Sequence, residues 1–147
     1  MHSRIFQLSY HPIDEDDYIT EEIFYEGFVG SIADYVSSDT DRESDIEWFI
    51  SFLEEYGVKR EGNAVYFPKG FKEIYFEKRL KELKEKVSSM TLHDFCDSFK
   101  AYCLCALIED RYGFFVYTDR LMTLDDFVRN LENEDKFYFG ATIDYHF

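Results

Sequence analysis

His93, Cys96 and Cys103 stand at successive offsets of three and seven, so a helix would carry all three on one face. Imidazole and thiolate suit zinc. A closed zinc site takes four ligands, however, and the usual close cysteine pair with two to four residues between is absent. Free cysteine also packs as a small hydrophobe, and the core reading of these residues is the simpler one. In Asp39-Thr40-Asp41-Arg42-Glu43-Ser44-Asp45 the acids alternate like the first ligands of a calcium loop. Such a loop needs glycine at its sixth position and a bidentate glutamate at its twelfth; here Ser44 and Ile50 hold those places. A helix start enriched in acids, which complement the helix dipole, accounts for the same residues. The chain has no G-x-S-x-G elbow, phosphate-cradling glycine loop, dinucleotide fingerprint or H-E-x-x-H stretch. Its four histidines, His2, His11, His93 and His146, sit in no catalytic motif. No metal, cofactor or catalytic set is assigned on this basis.

The pattern that does stand out is acid interleaved with aromatic. Residues 14–55 hold 15 acids and one base, Arg42, a net of −14, whereas the other 105 residues hold 16 acids and 15 bases, a net of −1. Nearly all of the chain's −15 therefore belongs to one segment. Direct nucleic-acid binding is argued against, because affinity for phosphates rests on clustered Lys and Arg. The only basic concentration, Lys78 to Lys86, is interleaved with Glu82 and Glu85 and reads as a solvated helix face. Duplex DNA carries one charge per about 1.7 Å of axis. Carboxylates displayed on a rigid surface with aromatics between them could occupy a basic groove in its place, with an encounter rate that falls steeply with salt.

The elements that would position this segment follow from periodicity. Ile5–Tyr10 and residues 136–147 alternate as strands, with Phe137, Phe139, Ala141, Ile143, Tyr145 and Phe147 on one face of the latter. Phe114–Tyr117 is a third strand, and Glu61-Gly62-Asn63 marks a hairpin or turn. Residues 20–36 are read as mostly helical, with a break near Gly27 and Gly30. Ile46, Phe49, Ile50 and Leu53 make the stripe of a helix over 42–56. Phe76, Leu80, Leu83, Val87 and Met90 make that of a second helix, whose wet face offers the i,i+4 pairs Glu77/Lys81, Lys81/Glu85 and Glu82/Lys86. Thr91–Tyr112 holds all three cysteines and the longest apolar run, and is read as the central core helix, capped by Thr91 with Asp94 and stopped at Gly113. Thr123 with Asp126 starts a short last helix, and the echo of MTLHDF in MTLDDF reflects the same capping chemistry rather than a repeat.

These elements predict a single α+β domain over residues 1–147, a small, mainly antiparallel sheet packed against three longer helices. The lack of a leader-like segment, of a membrane-length apolar run and of an even cysteine framework points to a cytoplasmic protein that does not enter the membrane. The expected function is non-enzymatic. An acidic surface would bind a basic, nucleic-acid-handling protein of the nuclease, restriction or CRISPR effector, or toxin class, as a DNA mimic or inhibitor. Asp14, Glu15, Asp16, Asp17, Asp39, Asp41, Glu43, Asp45 and Glu47 would supply charge, and Tyr18, Tyr35 and Trp48 aromatic anchors. The alternatives are a small carboxylate- or metal-dependent enzyme and an oligomeric scaffold.

Overall fold

The computed structural model describes residues 1–132 and 134–147. Seven strands form one sheet: β1 (His2–Ser9), β2 (Tyr35–Ser37), β3 (Lys59–Glu61), β4 (Ala64–Phe67), β5 (Phe115–Tyr117), β6 (Leu121–Thr123) and β7 (Asp135–His146). The order is β3-β4-β7-β1-β5-β6, and β2 joins the far half of the β7 edge that β4 occupies first. All pairings are antiparallel except β1 with β5. The helices are α1 (Arg42–Leu53), α2 (Phe71–Ser89), α3 (Leu92–Cys96), α4 (Ser98–Ile108) and α5 (Leu124–Arg129). The architecture is mixed α/β. Its sheet is larger than expected from sequence, and its helices are more numerous.

Both faces of the sheet are covered. On one, α1, the first turns of α2 and α5 bury Phe6, Phe49, Phe67, Phe71, Phe127 and Phe139. Phe6 packs 4.7 Å from Phe49, and Phe49 lies 5.6 Å edge-on from Phe139. On the other, residues 24–36 lie over Ile5, Phe115, Ile143 and Tyr145, with Phe28 set edge-on to Phe115 and Tyr145. That covering segment is not the expected helix. It is a 3-10 turn at Glu21–Phe24, then turns, then β2, because Gly27 and Gly30 adopt φ of 87° and 86°, which a right-handed helix cannot accommodate.

The expected single face of β7 is also corrected. Gly140 and Ala141 together oppose Gln7 of β1, a bulge between the pairs Leu8–Phe139 and Phe6–Thr142. One extra residue reverses the alternation. Phe137 and Phe139 consequently enter the first core, and Ile143 and Tyr145 the second. The buried Gln7 amide holds the bulge, accepting the Ala141 N–H at 3.0 Å and the Ile19 N–H at 3.1 Å while donating to the Asp17 carbonyl at 3.0 Å. A Cβ on Gly140 would fall on the Gln7 side chain and Ile13 Cδ1. Gly140→Ala should therefore cost about 1–3 kcal/mol by overpacking. The urea midpoint measures it, and an unchanged midpoint would refute the close approach.

The largest departure concerns the stretch read as the central core helix. It is two helices, broken at Asp97, whose side chain accepts the Phe99 and Lys100 N–H groups and so caps a second start. The Thr91–Asp94 capping box forms as expected. The stop is at Asp110, with φ of 52°, rather than at Gly113. Neither helix buries a residue, and Cys96, Cys103 and Cys105 are free and exposed. Both sheet faces are already occupied, so the hairpin that the outer half of α2 makes with α3 and α4 projects beyond them.

Candidate interaction surface

The acidic segment is organised by its one base. Arg42, in the first turn of α1, turns its guanidinium onto β7 where the edge lies open between β4 and β2. Nε donates to the Gly140 carbonyl at 2.6 Å, and Nη2 donates to the Phe139 carbonyl at 3.0 Å and to Asn63 Oδ1 at 3.1 Å. The guanidinium thus supplies the partners that strand carbonyls require. Thr40 completes the edge with a bond to the Thr142 carbonyl at 3.2 Å. The Tyr18 ring lies 5.4 Å from the same guanidinium, a cation–π contact.

That contact joins two acidic groups far apart in sequence. Asp14–Asp17 form an exposed 3-10 turn, closed by the Asp17 N–H on the Asp14 carbonyl at 2.9 Å, and Tyr18 follows directly. Asp39, Asp41 and Glu43 flank Arg42, all exposed. Asp41 caps α1. Its carboxylate accepts the Ser44 N–H and hydroxyl, and these bonds hold its pKa below the usual range. Glu43 is lowered likewise by the Arg60 guanidinium, 2.6 Å away. Glu21, bonded by the Ser38 N–H and the Tyr25 hydroxyl, is lowered too, and ties the 3-10 turn to the connector before α1. All three are held in the charged form.

Three of the residues expected to dock are elsewhere or engaged. Asp45 is buried, accepting Arg4 Nε at 2.6 Å and the Thr142 hydroxyl at 2.8 Å, and cannot contact a partner. Tyr35, at the start of β2, stacks on His146 with ring centroids 5.1 Å apart. Trp48 lies against Phe114 at 4.8 Å and under the Arg4 guanidinium at 5.6 Å. Both rings keep an exposed side, but neither adjoins the Tyr18–Arg42 junction. Glu47 is exposed on α1.

Comparison with protein-family models, with curated proteins and with solved structures finds no match to this chain. Chemistry must therefore be weighed from geometry alone. Among the described residues no three His, Cys, Asp or Glu side chains converge as metal ligands, and no helix is long and apolar enough to cross a membrane. A buried charged cluster, not foreseen from sequence, lies under α5. Asp125 accepts the Tyr75 hydroxyl at 2.7 Å and Arg79 Nη2 at 2.7 Å, and its N–H donates to Asp110 Oδ2 at 3.2 Å. Burial and then the neighbouring Asp125 charge raise Asp110 to about 7, a value suited to proton transfer. The Asp125 N–H is, however, the only hydrogen-bond partner of its carboxyl among the described residues. The cluster joins α2, α4 and α5, and we read it as structural.

Proposed function

We propose that the chain is a non-enzymatic docking protein whose acidic edge engages a basic, nucleic-acid-handling protein in place of a nucleic acid. The observation that carries this reading is the orientation of Arg42. Among the described residues every hydrogen bond of its guanidinium goes to β7 or Asn63, so the only base in residues 14–55 props up the edge and takes none of the segment's carboxylates as an ion-pair partner. Asp14 to Asp17, Asp39 and Asp41 are left as exposed carboxylates on either side of Tyr18, while Glu43, also exposed, is paired with Arg60. Charge of one sign on a rigid edge gives long-range attraction to a basic groove, and the salt dependence of phosphate recognition would be shared by its mimic.

The variant Asp14→Asn/Glu15→Gln/Asp16→Asn/Asp17→Asn tests the reading, since among the described residues none of these side chains caps a helix or joins an ion pair. The binding partner would be captured on the wild-type chain from an extract at low salt, eluted by a salt gradient and challenged with duplex DNA. Capture should weaken at least tenfold in the variant, at an unchanged melting temperature, and DNA should displace the wild-type complex. Equal capture by both chains, or indifference to DNA, would refute the proposal. Asp41 and Asp45 are unsuitable for this test because each has a folding role.

A further inference from the structure

We propose that the chain forms a two-fold dimer in which a second copy lays its own α2 and α4 against the projecting α2–α4 hairpin. No apolar residue from Phe76 to Gly113 is buried. Yet α4, SFKAYCLCALI, carries a single charge, Lys100, in a chain that is 32% charged. A helix apolar on every side is normally found inside a core. Here Leu92, Phe95 and Phe99 are 80%, 65% and 71% exposed, and Leu80 and Val87 are half exposed on the outer half of α2. At roughly 150–250 Å² for a large side chain, the hairpin leaves on the order of 700 Å² of apolar surface uncovered. The largest apolar patch on an ordinary monomer is about 300–600 Å². One side of a stable interface takes about 800 Å².

Charge selects a second copy as the occupant. Two chains of net −15 repel unless they meet away from residues 14–55. The hairpin is such a place, with six bases and five acids between Phe76 and Ile108. The outer half of α2, FEKRLKELKEKV over 76–87, is also self-complementary when read against itself in reverse. An antiparallel copy centred between Lys81 and Glu82 sets Leu80 against Leu83 of the second copy and Phe76 against its Val87. These are the apolar seam positions of a 4-3 pattern. Glu77 and Lys84 each follow a seam residue, so they flank the seam on one side and face each other across the two-fold axis with opposite charge. Neither has an ion-pair partner within the chain among the described residues, nor do Lys81, Glu82, Glu85 or Lys86, and the i,i+4 pairs expected from sequence do not form. Arg79 and Lys86 each precede a seam residue and would meet with like charge on the other side, but Arg79 is turned inward onto Asp125. With α4 beside each α2, the two hairpins close as a four-helix bundle, isologous as two-fold symmetry requires.

The test is light scattering on the eluting full-length chain, over a concentration series, with sedimentation for the dissociation constant. The wild type should run at about twice 17.7 kDa. Leu80→Glu, at an exposed site that the fold tolerates, should weaken association at least a hundredfold, with an unchanged circular dichroism spectrum. Glu77→Lys and Lys84→Glu should each weaken it roughly tenfold, since each two-fold interface carries the clash twice. Mixing these two variants should restore the dimer, because positions 77 and 84 of the mixed pair again carry opposite charges in both halves. A wild type that stays monomeric throughout would overturn the proposal, whether its hairpin stays bare or binds zwitterionic vesicles. A dimer indifferent to all three substitutions would place the interface elsewhere and overturn it equally.

Discussion

Arg4→Met should destabilise the fold by about 3–5 kcal/mol, because it strips the buried Asp45 carboxylate, and the partly buried Asp144 that His2 also contacts, of one shared cation. Arg4 stands on β1, its side chain one-fifth exposed. Nε donates to Asp45 Oδ1 of α1 at 2.6 Å, Nη1 donates to Asp144 of β7 and to the Ser3 carbonyl, and the guanidinium lies 5.6 Å from the Trp48 ring centroid. Among the described residues Asp45 has a further bond only from the Thr142 hydroxyl, at 2.8 Å, and that hydroxyl also meets Thr40. Without the arginine, the Asp45 carboxyl would stay against the apolar side of α1 with no cation, where one neutral hydrogen bond is a small return for its desolvation. Lysine is a poor substitute, since a point charge cannot reach along two directions as the guanidinium fork does. Arg4→Lys should recover less than half of the loss. Denaturant midpoints measured at constant slope read both values; a loss under about 1 kcal/mol for Arg4→Met would mean that the network is solvated and weak. The result also bears on the docking proposal. An Asp45 variant that loses its partner reports a damaged α1, not a missing contact.

What could be read from sequence divides along the range of the interactions involved. The α1 helix was legible to within its last turn, because its stripe and its acidic start are local. The Gly62–Asn63 turn joining β3 and β4, and the Thr91–Asp94 capping box, were legible for the same reason. The face reversal in β7 was not, since the bulge is held by Gln7, 134 residues before Ala141. The stretch carrying α3 and α4 was placed wrongly by a sound local rule. Apolar periodicity says that a face will be covered, and the covering element need not belong to the same chain. Within the candidate surface, the acid excess was plain from composition. The inward turn of Arg42 was not, because its acceptors come 97 and 98 residues later. Asp45 did carry a usable signal. It precedes Phe49 by four residues and so shares the buried side of α1, where its charge needed a cation that sequence could not point to.

Acid should stabilise the joint where the hairpin rejoins the sheet. Asp110 is raised to about 7 by burial first and the nearby Asp125 carboxylate second, with Arg79 and Arg129 opposing only in part. The unfolded chain ionises this group near its ordinary value of about 3.9. Between roughly pH 4 and 7 the folded state therefore holds a proton that the unfolded state has released, and stability falls as pH rises through that window. The contribution is complete below about pH 4 and gone above about pH 7. A shift of this size corresponds to about 4 kcal/mol. Asp110→Asn should abolish this part of the pH dependence, because an amide oxygen still accepts the Asp125 N–H and asparagine tolerates the positive φ that residue 110 adopts. The variant should match the wild type near pH 4 and exceed it by most of that figure at pH 8. Since Asp41, Glu43 and Asp94 are held below their ordinary values and destabilise only as pH falls, the comparison must be made as the difference between variant and wild type across the series. A difference that stays flat from pH 4 to 8 would mean that Asp110 is ionised in the folded chain, with Arg79 serving both carboxylates at once.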